Sequence, residues 1–279
     1  MSTGSTAVQV VAHRGASGVR AEHTLEAYEQ ALKDGADGLE CDIRLTRDGH
    51  LVCVHDRKVN RTSDGRGVVS TLELSELSEL DFASWKARQH DPLLEAAWEE
   101  ADTDPARGRV LTFERLLQLV CDWPGSGADG RPVQLQVETK HPTRYGGLVE
   151  RRLVEVLEQY GLTRPTSRAE SPVAVLSYAS TSLRRVHALA PAIPTVLNMG
   201  RVPVRYRDGS LPGRVWAAGL DLDVVRSHPR TVERFHARGK RVHVFTADEP
   251  REVDLLLELG VDAIITNHPR RVLRHLGRR

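Results

Sequence analysis

The chain has 279 residues, with 39 Lys and Arg against 38 Asp and Glu, for a formal net charge of +1. That balance excludes nonspecific nucleic-acid binding through a basic face and general attraction to an anionic membrane. A charged fraction of 28% beside 40% hydrophobic residues excludes disordered and collagen-like chains, and three well-separated cysteines (Cys41, Cys53, Cys121) make neither a disulfide framework nor a zinc site.

In chain order, short apolar runs alternate with longer amphipathic stretches. The first ten residues lack a basic segment leading into an apolar core, and no apolar run approaches the roughly eighteen residues of a membrane span. The expected location is therefore the cytoplasm, with no stable membrane association. Residues 8–12 are valine-rich and read as a strand, and residues 24–34 place Leu25, Tyr28, Ala31 and Leu32 on one helical face. Strands follow at 38–45 and, after the turn signal Arg47-Asp48-Gly49, at 51–54. Further strands are expected at 133–137, 173–176, 195–197, 220–225, 242–245 and 263–265, with helices at 148–160, 180–189, 230–238 and 252–259 between them. Residues 31–39 and 256–264 repeat one recipe, in which a helix ends on Gly35 or Gly260 and a strand begins a few residues later.

About eight strand–helix units in about 250 residues predict an α/β fold, a (β/α)8 TIM barrel, with residues 1–279 as a single domain. No Gly-x-Gly-x-x-Gly follows a strand, which argues against an open dinucleotide-binding sheet. Residues 57–109 break the rhythm with turn residues, leucine-rich helical pieces and the polar run 102–105. A connection of that length reads as a small insertion after the second strand, standing over the C-terminal face of the barrel.

Glu40 and Asp42 are two apart on a strand expected to be buried, so their side chains share a face. Two carboxylates held there repel one another and are poorly solvated, and a hard divalent cation relieves both problems. Glu138 closes another apolar strand, with Lys140 two residues on as a cation for an anionic substrate. His13 and His55 each follow an apolar strand directly, and two histidines can act as general base and general acid in one displacement. Arg14 offers a planar fork for a phosphate, and Gly15 and Gly18 let the backbone come close. His228, His243 and His268, near late strand ends, read as core or rim packing.

These segments together resemble the glycerophosphodiester phosphodiesterase family. The match runs through His13-Arg14-Gly15-Ala16, Glu22-His23-Thr24-Leu25, the stretch Gly35 to Asp42, Leu45-Thr46-Arg47-Asp48-Gly49 and Val54-His55-Asp56. It continues at Asn60-Arg61-Thr62, Glu138-Thr139-Lys140, Phe245-Thr246 and Ile264 to Pro269. The resemblance implies hydrolysis of a glycerophosphodiester to glycerol 3-phosphate and an alcohol with Ca²⁺ or Mg²⁺. The metal would be held by Glu40, Asp42 and Glu138, with His13 and His55 as the acid–base pair and Arg14 and Lys140 on the phosphate. It further implies attack by the substrate's own glycerol hydroxyl, with a cyclic phosphate opened later by water. Glu22 matches a family acid near the site, within Ala21-Glu22-His23 where the family usually has Pro-Glu-Asn, and Phe245 stands in the pocket wall where tryptophan is common.

The implied partner is a small glycerophosphodiester, with no nucleic acid, and the sequence assigns no oligomeric state. Two other readings compete with it. One is phospholipase D-like cleavage of lysophospholipid or sphingomyelin, which the insertion opposes. The other is an inactive barrel acting as a binding protein, which the presence of both histidines and all three acids opposes.

Overall fold

The computed structural model describes residues 8–87, 108–124, 132–143 and 146–278. Its frame comes from strands flanked by strands on both sides. β1 (Gln9–His13) lies between β2 (Gly38–Leu45) and β9 (Ala263–Thr266), parallel to both. The ring continues through β4 (Gln134–Thr139), β5 (Val173–Ser177), β6 (Thr195–Met199), β7 (Ala217–Asp221) and β8 (Arg241–Phe245), all in parallel register. The sheet thus closes on itself as the predicted eight-stranded parallel barrel wrapped by helices.

Alternation along the strands separates structure from chemistry. Leu39, Cys41, Ile43, Leu135 and Val137 pack outward with Tyr28, Phe113 and Leu116 of the surrounding helices. Their neighbours Glu40, Asp42, Gln136 and Glu138 therefore face the barrel interior, all of them buried. The helix Leu25–Lys33 begins where the Thr24 hydroxyl accepts the amide of Ala27, and the recurrent glycine caps are present at Gly35 and Gly260, with φ of 87° and 69°.

One strand stands outside the ring. β3 (Leu51–Cys53) turns back antiparallel along the far end of β2, pairing Ile43 with Cys53 and Leu45 with Leu51. Its outer side seeds a small separate core in which Val52 and Val54 pack with Val59, Val69, Leu77 and Phe82. Between β3 and the helix Phe113–Asp122, the described residues hold two 3-10 turns, Val59–Arg61 and Val69–Thr71, and two short helices, Leu74–Ser78 and Ser84–Ala87. The polar run 102–105 lies outside the described residues.

One expected element is different. Residues 220–225 do not form a strand; β7 ends at Asp221 and the helix Leu222–Ser227 begins there, with the Asp221 carboxylate accepting the amide of Asp223. The valines at 224 and 225 suggested a strand, and the aspartate cap overrides their β preference.

Candidate active site

The C-terminal ends of β2 and β4 place three buried acids together. Glu40, Asp42 and Glu138 each offer an oxygen, and these oxygens lie within 4.8 Å of one another. Lys140, one residue past β4, sets its Nζ 2.9 Å from Asp42 Oδ1 and 2.8 Å from Glu138 Oε1. Arg14, one residue past β1, pairs through Nε with Asp42 Oδ2 at 3.1 Å and through Nη1 with Glu22 at 3.1 Å. Its backbone N–H donates to the main chain and the carboxylate of Glu40. Asn198, on β6, donates to Glu138 Oε2 at 3.1 Å. That amide fits because residue 219 is glycine, where a Cβ would stand 2.1 Å from Asn198 Oδ1.

Charge is unevenly distributed in the cluster. Burial would raise the Asp42 carboxyl, but Lys140, His23 and Arg14 outweigh it and hold it well below the usual range. Glu40 is pushed well up, first by burial and then by the charge of Asp42, and Glu138 is raised for the same two reasons. Lys140 and Arg14 stay firmly charged, because the acids more than offset their burial. Two of the three carboxyls thus tend to keep protons, so the cluster is short of positive charge. Buried, convergent carboxylate oxygens with that deficit fit a hard divalent cation.

The charge of Asp42 acts on both imidazoles, which are held by different partners. His13 is held by Nδ1, 2.8 Å from Asn267 Oδ1, while Asn267 donates through Nδ2 to Asp248 at 2.7 Å. Since that amide nitrogen is committed, its oxygen must accept, and His13 carries its proton on Nδ1. The Nε2 lone pair is then open. Burial, followed by the nearby Arg14, lowers His13 to about 3, so the ring is neutral near pH 7. His55 is only half-buried, and burial lowers it as well. Its Nδ1 lies 2.7 Å from Asp56 Oδ1.

A relay joins the two sides. Arg61, in the first turn of the insertion, reaches Glu22 with both Nη atoms at 2.8 and 2.7 Å and Asp56 with Nε at 2.8 Å. Hydrogen bonds from Arg61 hold Asp56 at about 2, and hydrogen bonding from Arg61 with the charge of Arg14 holds Glu22 at about 2 against burial. Phe245, ending β8, meets the exposed ring of Tyr178 edge-to-face at 6.2 Å.

Seven of the nine residues singled out in the sequence therefore join one bonded network, His13 is coupled to it through the charge of Asp42, and Phe245 touches Tyr178. His243 is buried against Trp216, as expected of a core histidine. Sequence reasoning gave no role to His23, Asn198, Asp248, Asn267 or Tyr178. His23 Nε2 lies 3.0 Å from Asp42 Oδ2 and its Nδ1 lies 2.8 Å from the Tyr28 hydroxyl. Tyr178 follows β5 by one residue, the same offset as Lys140 from β4, and that was the signal available.

A family model described as the glycerophosphoryl diester phosphodiesterase family matches residues 13–271. A protein of Mycobacterium tuberculosis named as a probable glycerophosphodiester phosphodiesterase 1 is 45% identical over 264 residues, covering 94% of this chain and 90% of that one. A glycerophosphodiester phosphodiesterase of Bacillus subtilis is 32% identical over 264 residues, 94% of this chain and 84% of its own. Among solved structures, an Oleispira antarctica phosphodiesterase in complex with the product sn-glycerol-3-phosphate aligns with a TM-score of 0.79 at 24% identity, over 96% of each chain. A Galdieria sulphuraria protein described as a putative glycerophosphodiester phosphodiesterase aligns at 0.77 and 20% identity, over 99% and 100% of the two chains.

Proposed function

The chain belongs to the glycerophosphoryl diester phosphodiesterase family and is an enzyme of that class, and from this premise we propose metal-dependent hydrolysis of a glycerophosphodiester to glycerol 3-phosphate and an alcohol, with His13 as base and His55 as acid. The single observation that carries the reading is the meeting of Glu40, Asp42 and Glu138 with two cations between two separately held imidazoles.

In this reading Glu40, Asp42 and Glu138 hold a divalent ion, Ca²⁺ or Mg²⁺. When bound, the ion offsets charge on the phosphate oxygens and supplies several kcal/mol of transition-state stabilisation, on the order found for such ions. Arg14 and Lys140 grip the same anion from the rim. His13, neutral and open at Nε2, takes the proton of the attacking glycerol hydroxyl, as the family suggests. His55, held through Nδ1 by Asp56, gives a proton to the leaving alcohol oxygen, and water then opens the resulting cyclic phosphate to glycerol 3-phosphate, with the proton transfers reversed. Residues 1–279 act as one domain, and of the 57–109 insertion the described start stands over the strand ends, a reading supported by the pairing of Arg61 with Glu22.

The test is release of glycerol 3-phosphate from a panel of glycerophosphodiesters, with added Ca²⁺ or Mg²⁺ and with EDTA. Release that needs the ion is the expected result. Undiminished release in chelator removes the metal from the reaction, and no release from any member of the panel overturns the activity.

A further inference from the structure

The support behind His13 extends one residue beyond the amide that touches it. β8 and β9 end side by side, and the Ala247 N–H donates to the Ile265 carbonyl across them. Asn267 follows β9 directly and Asp248 stands three residues after β8. The Asp248 backbone is held by its N–H on Glu252 Oε2 at 2.7 Å, and that of Asn267 by the Gly18 N–H on its carbonyl at 2.8 Å.

Donors and acceptors along this line can be followed atom by atom. Asp248 Oδ1 accepts the Thr266 hydroxyl and the Asn267 N–H, both at 2.8 Å. Asp248 Oδ2 accepts Asn267 Nδ2 at 2.7 Å. A carboxylate has no proton to give, so it admits only the nitrogen end of the Asn267 amide. The oxygen end is thereby turned to His13 Nδ1 at 2.8 Å, where the Ser17 hydroxyl also reaches it at 2.9 Å. That hydroxyl lies 2.7 Å from the His13 carbonyl as well. It can donate to the amide oxygen, or donate to the carbonyl and accept from an amide nitrogen, so it suits either orientation. The imidazole is equally adaptable, since a neutral ring presents a donor or an acceptor at Nδ1. Only Asp248 is selective.

We propose that Asp248 is a positioning residue that decides which nitrogen of His13 carries the proton, acting through the Asn267 amide without touching the ring. The inference rests on the reading of His13 as base and deepens it. A neutral ring has a lone pair at Nε2 only while its proton sits on Nδ1. An Asn267 turned the other way draws the proton to Nε2 and leaves a ring that cannot accept from the glycerol hydroxyl, although His13 itself has not moved.

The experiment moves the carboxylate by one partner. In Asp248→Asn the new amide keeps its oxygen toward the Thr266 hydroxyl and the Asn267 N–H, so its nitrogen faces Asn267 and turns that side chain over. Nitrogen-15 NMR of the metal-free protein at pH 8 is expected to find the His13 proton on Nδ1 in the wild type and on Nε2 in Asp248→Asn. Turnover of a glycerophosphodiester by that variant is expected to show kcat lowered about a hundredfold with KM within about threefold. Asn267→Asp sets two carboxylates against each other and is expected to be impaired as well. Combining Asp248→Asn with Asn267→Asp should return the proton to Nδ1 and kcat to within about tenfold of the wild type, a recovery that a merely structural role does not give. The carboxylate at 267 then accepts from His13 on one side and from the amide at 248 on the other. Where a single variant fails to fold, the double variant decides. A wild-type ring protonated at Nε2, an Asp248→Asn ring still protonated at Nδ1, or a double variant no better than the worse single change overturns the proposal. If the ring behaves as expected in all four proteins while the wild type cleaves no diester, the phosphodiesterase reading falls and the relay stands.

Discussion

Asp42 is the residue on which the chemistry turns, because Arg14, His23 and Lys140 all reach its two oxygens. The two histidines that feel its charge are held differently, one through an amide to a carboxylate and the other through a carboxylate directly, and in the proposed reaction this separates their roles. His13→Ala and His55→Ala are each expected to lower kcat on a natural diester by about a hundredfold or more. The two variants should diverge on a glycerophosphodiester of p-nitrophenol, whose leaving group needs no proton. There His55→Ala recovers most of its activity and His13→Ala does not, and recovery by His13→Ala instead would reverse the assignment. The alternation of Glu40 and Asp42 was legible in the sequence, since a two-residue spacing on a strand fixes a common face. The supports of the histidines were not. Asn267 and Asp248 stand more than two hundred positions from His13 in the chain, and no local pattern links them.

At the scale of elements, the barrel was legible because each strand carries its own apolar run and each helix its own face. The antiparallel return of β3 was less so, since three buried residues look alike in a ring strand and in an arm. That arm explains why the insertion is not loose decoration. Its apolar residues pack on Val52 and Val54, and Arg61 ties its first turn to both sides of the cleft. Arg61→Met is therefore expected to raise KM several-fold and to lower kcat as Asp56, which holds His55, and Glu22 lose their common partner, with the unfolding temperature of the barrel nearly unchanged. Steady-state kinetics beside a thermal melt checks this. A fall in melting temperature equal to that of a core variant would show that Arg61 serves the fold rather than the site.

At the scale of the whole molecule, the acid cluster sets function against stability. Glu40 and Glu138 hold their protons more tightly in the folded chain than in the unfolded one. The metal-free protein must then lose stability as pH rises from the ordinary carboxylate value through their raised values, because within that window the folded state holds more protons than the unfolded one. A divalent ion held there, as proposed, would relieve the repulsion and bind the native state alone. At a hundredfold excess over Kd it should stabilise by about 2.7 kcal/mol, enough to raise Tm by several degrees in a chain of this size. Differential scanning calorimetry should find the increment larger at pH 8 than at pH 5, since protons compete for the same oxygens. Glu40→Gln should melt higher than the wild type without metal and respond little to its addition. A wild type whose melt ignores both ions would count against the cluster as their site.

The close packing at Gly219 carries the needs of the site into the interior. Asn198 occupies the room that a side chain there would need and uses it to steady Glu138. A methyl group at 219 would strike that amide and push it away from the acid. Small-to-large changes at this point should therefore cost both sturdiness and the alignment of Glu138, and directed evolution for heat tolerance would do better to work on the outer helices.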